Sequence, residues 1–389
     1  MYPHKATLSR LLTVLFLVGS FLTTTAQIDY KYIESQRLGE KRQVKVQVPR
    51  GYSKDESKTY PLIVVLDGDY LFEPVAGMVD YFSYWEDMPD AIVVGVNMAS
   101  SRRDDTQYDL DNYLPADRGI DFYEFLGIEL MEMLNDQYRI ADFRMIVGHD
   151  ISANFMNYFL FKPTPLYQAY INLSPDYAPQ MVDRMPERLR NMEQQTYYYL
   201  ATAEGDAEKL RKEIQIMDEY LMGVENGKLE YYFQNFGDAT HYSLAAMAIP
   251  DALSKIFAVF RPISVADFKE KLTTENADPI KFLKEKYETI NALFDLNIPV
   301  RVNDFRSVEA ALIKAEKWDD LEDLGKWARK VYPDTMLGPY MMAYALEMSG
   351  EPKKAMKMYQ AAFILEEVST LTKDTMLERS DAIKADFGW

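Results

Sequence analysis

The sequence predicts an α/β protein, a mainly parallel sheet sandwiched by helices and followed by a small all-helical region. Short strand-type runs alternate with longer helical stretches from residue 30 to about residue 262, and several runs are apolar throughout, as strands buried on both faces are. After Pro262 the strand signal stops. In order, residues 43–48 alternate polar and apolar like a half-exposed strand, whereas 62–66 and 91–96 are continuous apolar runs. A helical stretch at 120–134 precedes a third buried run at 144–147, and strands follow at 169–173 and 197–202. Strands and helices alternating on this spacing give a parallel sheet with helices on both faces.

The 389 residues suit a large domain with an appendage, and 48% hydrophobic content, with 28 Tyr and 20 Phe, supplies a core. A formal net charge of −18 argues against nucleic acid and anionic membrane surfaces, which need clustered Lys and Arg. The absence of cysteine excludes disulfides, thiolate nucleophiles and Cys-ligated metals. No phosphate-cradling Gly-rich loop and no metal-ligand spacing occurs, so no cofactor or metal is expected.

At the N-terminus Lys5 and Arg10 precede an apolar run at 11–21 and then Thr24-Thr25-Ala26. This reads as a signal peptide over residues 1–26 with a mature start at Gln27, too short for a comfortable membrane span and lacking the cysteine of a lipoprotein. A periplasmic or secreted protein is expected.

The chemistry concentrates at Gly148-His149-Asp150-Ile151-Ser152-Ala153. A buried strand, a small-x-X-x-small pentapeptide and a helix-compatible run form the layout of a nucleophile elbow, which holds its central side chain at the apex of a strand-to-helix turn. Here that residue is Asp150. Of three histidines, His4 lies in the expected signal peptide and His149 is expected to point away from the apex. His241, in a Gly-containing loop before a helix, is therefore the candidate base. The acid is expected after the 197–202 strand, as Glu204 or Asp206, with Glu204 preferred. For an oxyanion hole the candidates are the backbone N–H groups of Gly68, Asp69 and Ile151. Each has an ordinary alternative: a lone histidine is often structural, Glu204 and Asp206 suit a solvated loop, and Asp67-Gly68-Asp69 suits a simple turn.

These pieces resemble the esterase D, or putative-esterase, family of α/β-hydrolases, over residues 30–260. The landmarks are Val48-Pro49-Arg50-Gly51-Tyr52, Tyr60-Pro61 leading to Asp67-Gly68-Asp69, Ile92-Val93-Val94-Gly95-Val96, the cluster from Arg102 to Asp105, Glu129-Leu130, Tyr138-Arg139, Gly148-His149, Leu173-Ser174-Pro175-Asp176 and His241. The resemblance, to a family with siderophore and feruloyl esterases, implies that Asp150 stands at the catalytic serine position, with His241 as base and Glu204 or Asp206 near the acid. The family elbow reads Gly-His-Ser-x-Gly-Gly, so this chain departs at Asp150, Ser152 and Ala153.

A carboxylate cannot replace serine in acyl transfer: attack would give a mixed anhydride, and its charge would oppose the developing oxyanion. The expectation is a catalytically degenerate module that binds a small molecule in the ancestral pocket or an exported protein or peptide through the tail. The alternative is an active hydrolase in which Asp150 attacks an sp3 carbon and His241 activates water, although tyrosines such as Tyr70, Tyr81 and Tyr84 cannot be assigned as leaving-group donors. A third option, Ser152 as a displaced nucleophile, sits off the apex with its hydroxyl misdirected.

Past Pro262 the expected division is a helical connector at 263–300 and a tail at 301–389, after a hydrolase domain at 27–262. Ala311, Ala315, Trp318, Leu321, Leu324 and Trp327, then Tyr340, Ala343, Tyr344, Ala355, Tyr359 and Ala362 around a turn at Gly350, resemble tetratricopeptide helix pairs. Fewer than three repeats make no independent solenoid, so the tail is expected to dock on the hydrolase or a partner.

Overall fold

A computed structural model describes residues 28–388. The expected signal peptide lies outside the described residues. Eight strands form one sheet in the order β1-β2-β4-β3-β5-β6-β7-β8. β1 (Ile28–Ser35) and β2 (Glu40–Gln47) form an antiparallel hairpin, and β2 joins β4 (Ile92–Val96) antiparallel. The others, β3 (Tyr60–Val65), β5 (Ile140–His149), β6 (Ala169–Leu173), β7 (Thr196–Gly205) and β8 (Leu229–Thr240), run parallel. This is the α/β-hydrolase sheet with a helical region after it.

The continuous apolar runs are explained by burial on both sheet faces. Leu62, Val64 and Ile146 pack into one core, while Ile63, Val65, Met145 and Val147 pack into the other, and all are fully buried. Period-2 alternation places successive side chains on opposite faces, so each strand serves two cores, and each such side chain contributes about 1.5–3 kcal/mol.

Several boundaries differ from expectation. The helical stretch read at 120–134 spans Arg118–Glu124, a π-helical turn at Phe125–Glu129 and Leu130–Gln137. The strand read at 144–147 is the long β5. The loop expected before His241 is the end of β8, unrecognised because Leu229–Thr240 is an edge strand of mixed exposure with Gly237 and Asp238 near its end.

Beyond Pro262 the helix Pro279–Phe294 joins two cores. Its Ile290 and Phe294 pack under the sheet, whereas Leu283 and Tyr287 pack into a third, all-helical core. Phe294 meets Phe143 at 5.0 Å and Phe257 at 5.1 Å between ring centroids. Arg301 donates to the Phe260 carbonyl at 2.8 Å and pairs with Glu86 at 3.2 Å, so the tail is bound to the sheet domain by polar contacts as well. Helices Val302–Lys314 with Trp318–Val331, and Leu337–Met348 with Pro352–Ala362, form two successive pairs before a last helix, Lys373–Phe387. The pairs meet where Gly338 lies against backbone: a Cβ there would fall 2.5 Å from both Arg329 N and Gly325 O.

The Phe294→Ala variant empties a ring from the junction of the sheet and tail cores. It is expected to lose about 3–5 kcal/mol of unfolding free energy in urea titration; a loss below about 1 kcal/mol would show that the tail packs independently of this contact.

Candidate active site

Three adjacent parallel strands lead at their carboxyl ends into a non-glycine residue with positive φ: Asp67 (54°) after β3, Asp150 (60°) after β5 and Ser174 (42°) after β6. This edge is where ligands bind in open α/β sheets, and such backbone strain persists where surrounding contacts over-determine it. Asp150, with ψ −123°, caps the helix Ile151–Met156, and its N–H donates to Leu173 O at 3.0 Å. Gly148 makes the turn possible, since a Cβ there would lie 2.8 Å from Ala153 N. Asp150 thus stands at the apex of a sharp strand-to-helix turn.

Its carboxylate is held by Arg102. Arg102 Nη1 donates to Asp150 Oδ2 at 3.0 Å, Nε and Nη2 grip Asp67 at 2.6 and 3.0 Å, and Nη2 also donates to the His149 carbonyl at 2.7 Å. Burial alone would weaken the guanidinium's hold on its proton, but the bonds to Asp67 and Asp150 carry its pKa above the ordinary value. Asp67, buried, also accepts from Ser152 Oγ at 2.6 Å. Ser152 is fully buried, and its oxygen accepts from the His149 N–H at 3.0 Å while its one proton goes to Asp67, so its hydroxyl faces no cleft. The sequence drew attention to Ser152 and to a cluster at Arg102; the charge web joining them to Asp67 was not foreseen.

On the other side, His241 follows β8 and its Nδ1 lies 2.7 Å from Asp206 Oδ1. The other oxygen of Asp206 accepts from Ser174 Oγ at 2.6 Å, Thr202 Oγ1 at 2.9 Å and Ala203 N at 2.8 Å. Burial opposes ionisation of Asp206, but the hydrogen bonds from His241, Ser174, Ala203 and Thr202 outweigh it and hold the carboxyl at about 2. The Asp206 hydrogen bond raises His241 above its ordinary value against a smaller effect of burial.

Glu204, the preferred acid in the sequence, takes no part in this pair. Its side chain is 61% exposed and pairs with Arg211, because β7 ends there and directs it to solvent. Gly68 is likewise corrected as an oxyanion donor, since its N–H already donates to Val96 O at 2.8 Å. The N–H groups of Asp69 and Ile151 have no acceptor among the described residues. His149 does not point away from the site. Nδ1 meets the Tyr70 hydroxyl at 2.9 Å, Nε2 meets His241 O at 3.1 Å, and the two imidazole centroids are 4.4 Å apart. Burial first, then the neighbouring His241, lowers its pKa. Tyr70 also reaches the site, whereas Tyr81 and Tyr84 are exposed on the helix Phe72–Tyr84.

Over Asp150 opens a cleft of about 840 Å³ lined by Arg102, Ile151, Asp176, Ile216 and Tyr220 among others. No cluster of three or more metal-binding side chains occurs among the described residues.

This geometry is that of the α/β-hydrolases. The comparisons narrow it: residues 35–180 match the family described as "Putative esterase", a span containing β2 to β6 and the apex but not Asp206 or His241. An uncharacterised protein from Capnocytophaga ochracea is similar at 26% identity and TM-score 0.82, over 92% of this chain and 100% of that one, a share that cannot leave out the helical tail. An IroE-like serine hydrolase from Shewanella oneidensis is similar in fold at 18% identity and TM-score 0.59, over 75% of this chain and 95% of that one. The BES protein from Bacillus cereus is similar in fold at 21% identity and TM-score 0.53, over 60% and 95% of the two chains. No curated protein matches the chain. The sheet domain therefore has an α/β-hydrolase fold, and residues 35–180 within it are similar to the putative-esterase family.

The Asp206–His241 pair carries a pH signature. Asp206 moves from 3.8 to about 2, so it contributes about 2 kcal/mol of stability above pH ~4, lost as pH falls towards 2. The raised His241 contributes fully below its ordinary value of 6.5, and that contribution is lost as pH rises through its folded pKa. In an NMR titration of the imidazole, Asp206→Asn is expected to bring the His241 pKa down to 6.5 or lower; an unmoved titration would show that Asp206 is not its partner.

Proposed function

We propose that this protein is an exported esterase-family α/β-hydrolase in which Asp150 replaces the serine nucleophile, and that it acts as a binding or assembly module without ester hydrolysis. The observation that carries this reading is the bond from Arg102 to the Asp150 carboxylate in a web that also engages Asp67 and Ser152. A carboxylate so held attacks an acyl carbon poorly, and the product would be a mixed anhydride. Its negative charge also stands where an oxyanion would develop, and one candidate donor, the Gly68 N–H, is engaged elsewhere. Ser152 offers no substitute, being buried and hydrogen-bonded to Asp67.

In this reading the hydrolase domain spans 27–262, a connector 263–300 and a tetratricopeptide-like tail 301–389. The cleft over Asp150 takes a small molecule, and the tail is the surface for an exported protein or peptide. The expected signal peptide directs the chain to the periplasm or beyond. Among the described residues no helix is long and apolar enough to cross a membrane.

One observation favours a second reading. The Asp206–His241 pair is fully assembled, and a base of this kind contributes about 10²–10⁴-fold to catalysis where it is used. With Asp150 as nucleophile on an sp3 carbon, or with water activated directly, such a site hydrolyses non-acyl substrates.

Assays of the wild type with p-nitrophenyl esters, epoxides and haloalkanes are expected to give no turnover. Asp150→Ser is expected to gain ester hydrolysis, which falls by about 10²-fold or more when His241→Ala is added. Wild-type turnover that disappears in His241→Ala would replace this reading with the second one.

A further inference from the structure

The cleft over Asp150 has an unbalanced charge pattern. Asp150, Asp176, Asp183 and Glu213 line it, against Arg102, Arg103 and Lys209. Arg102 directs its donors to Asp67, Asp150 and the His149 carbonyl, so little of its charge faces a ligand. Lys209 is 80% exposed at the rim and stands 3.7 Å from Glu213 Oε1. Asp176 has no ion pair and no donor to its carboxylate among the described residues, although its N–H donates to Asp150 O at 3.2 Å. Burial, and then the nearby Asp150 charge, push its carboxyl above the ordinary range against smaller opposing effects of Lys209 and His241, neither of which forms an ion pair with it. Further along the wall, Glu213 Oε2 is buried without any hydrogen-bond partner.

The uncharged lining mixes polar residues such as Gln107 and Asn154 with an aromatic and aliphatic set that includes Tyr108, Tyr177, Ile216 and Tyr220. An unpaired carboxylate beside aromatic faces is completed by an ammonium or guanidinium group, which forms the missing ion pair while the rings attract it through their quadrupoles. The volume, about 840 Å³, lies within the small-molecule range of roughly 300–1,000 Å³. The net charge of −18 also draws cations to the protein. An anionic ligand would add charge beside Asp150 and Asp176, whose carboxylates already engage Arg102, Lys209 and His241.

We infer that the cleft binds an organic cation, an amine or guanidinium on an apolar body, with the charged group at Asp176 and the body against Ile216 and Tyr220. The inference rests on the reading of this cleft as a ligand pocket and adds the class of ligand.

Isothermal titration of the full chain with phenethylammonium, 2-phenylethanol and phenylacetate tests it. Phenethylammonium alone is expected to bind, and Asp176→Asn to weaken it by at least about tenfold, with thermal melts reporting that the variant is folded. Should that variant fail to fold, Glu213→Gln is read by the same criterion. Binding of phenylacetate as tight as that of the cation, binding by none of the three, or cation binding unchanged in the variant would overturn the inference. Ester turnover by the wild type would overturn the degenerate-module reading while leaving cation binding to stand on its own.

Discussion

The arrangement at the carboxyl end of the sheet depends on one interaction, the grip of Arg102 on Asp67 and Asp150. Asp67 is buried after β3, and an unpaired buried carboxylate is costly; the two-pronged contact with Arg102 removes that cost. The same guanidinium reaches the His149 carbonyl and the Asp150 carboxylate, so it joins the ends of β3 and β5 and fixes the apex between them. Ser152 then adds its hydroxyl to Asp67 from the first turn of the following helix. Removing Arg102 would leave Asp67 buried without a cation and Asp150 without its tie, so strained backbone and charge pairing sustain each other here.

This web changes the meaning of the elbow departures. Taken as a sequence, Asp150, Ser152 and Ala153 suggest a turn released from constraint. In the structure Gly148 is still required by the close approach of Ala153 N, and Ser152 is fully buried with its hydroxyl bonded to the His149 N–H within the turn and to Asp67 across from it. The turn is held as tightly as a strained apex demands, by charge and a buried hydroxyl. Asp150 fits that set because Arg102 lies 3.0 Å away to receive it.

The fold was legible because burial on both sheet faces leaves continuous apolar runs, and β3, β4, β6 and the centre of β5 were read from them. Edge strands lack that signature: β1 exposes Tyr30 and Tyr32, and β8 mixes Tyr and Phe with Glu230, Gln234 and Asp238. For the site, chain order brought out Asp150, His241 and the 204–206 region, but the choice between Glu204 and Asp206 depends on which faces inward where β7 ends. Ser174, Thr202 and the Ala203 N–H converge on Asp206, from the turn after β6 and from β7, and no local spacing encodes that. Arg102 and His149 were underrated for a similar reason. Their partners lie 35 and 79 residues away, at Asp67 and Tyr70.

The two functional carboxylates of the site, Asp150 and Asp206, have different side-chain partners, and this governs how the site can change. Asp206 and His241 rest on β6, β7 and β8, while the Asp150 carboxylate rests on Arg102 and its backbone on β5 and β6; the halves touch where His149 Nε2 meets His241 O, but no hydrogen bond links the His241 and Asp150 side chains among the described residues. A substitution at the apex therefore leaves the base pair intact, because the four donors to Asp206 do not involve Asp150. The reverse holds too: the Asp150 carboxylate is held by Arg102 and not by the His241 side chain. A chain built this way can exchange its apex residue while keeping a well-formed histidine–aspartate pair, so that pair testifies to the architecture of the fold and leaves the chemistry to be decided at residue 150.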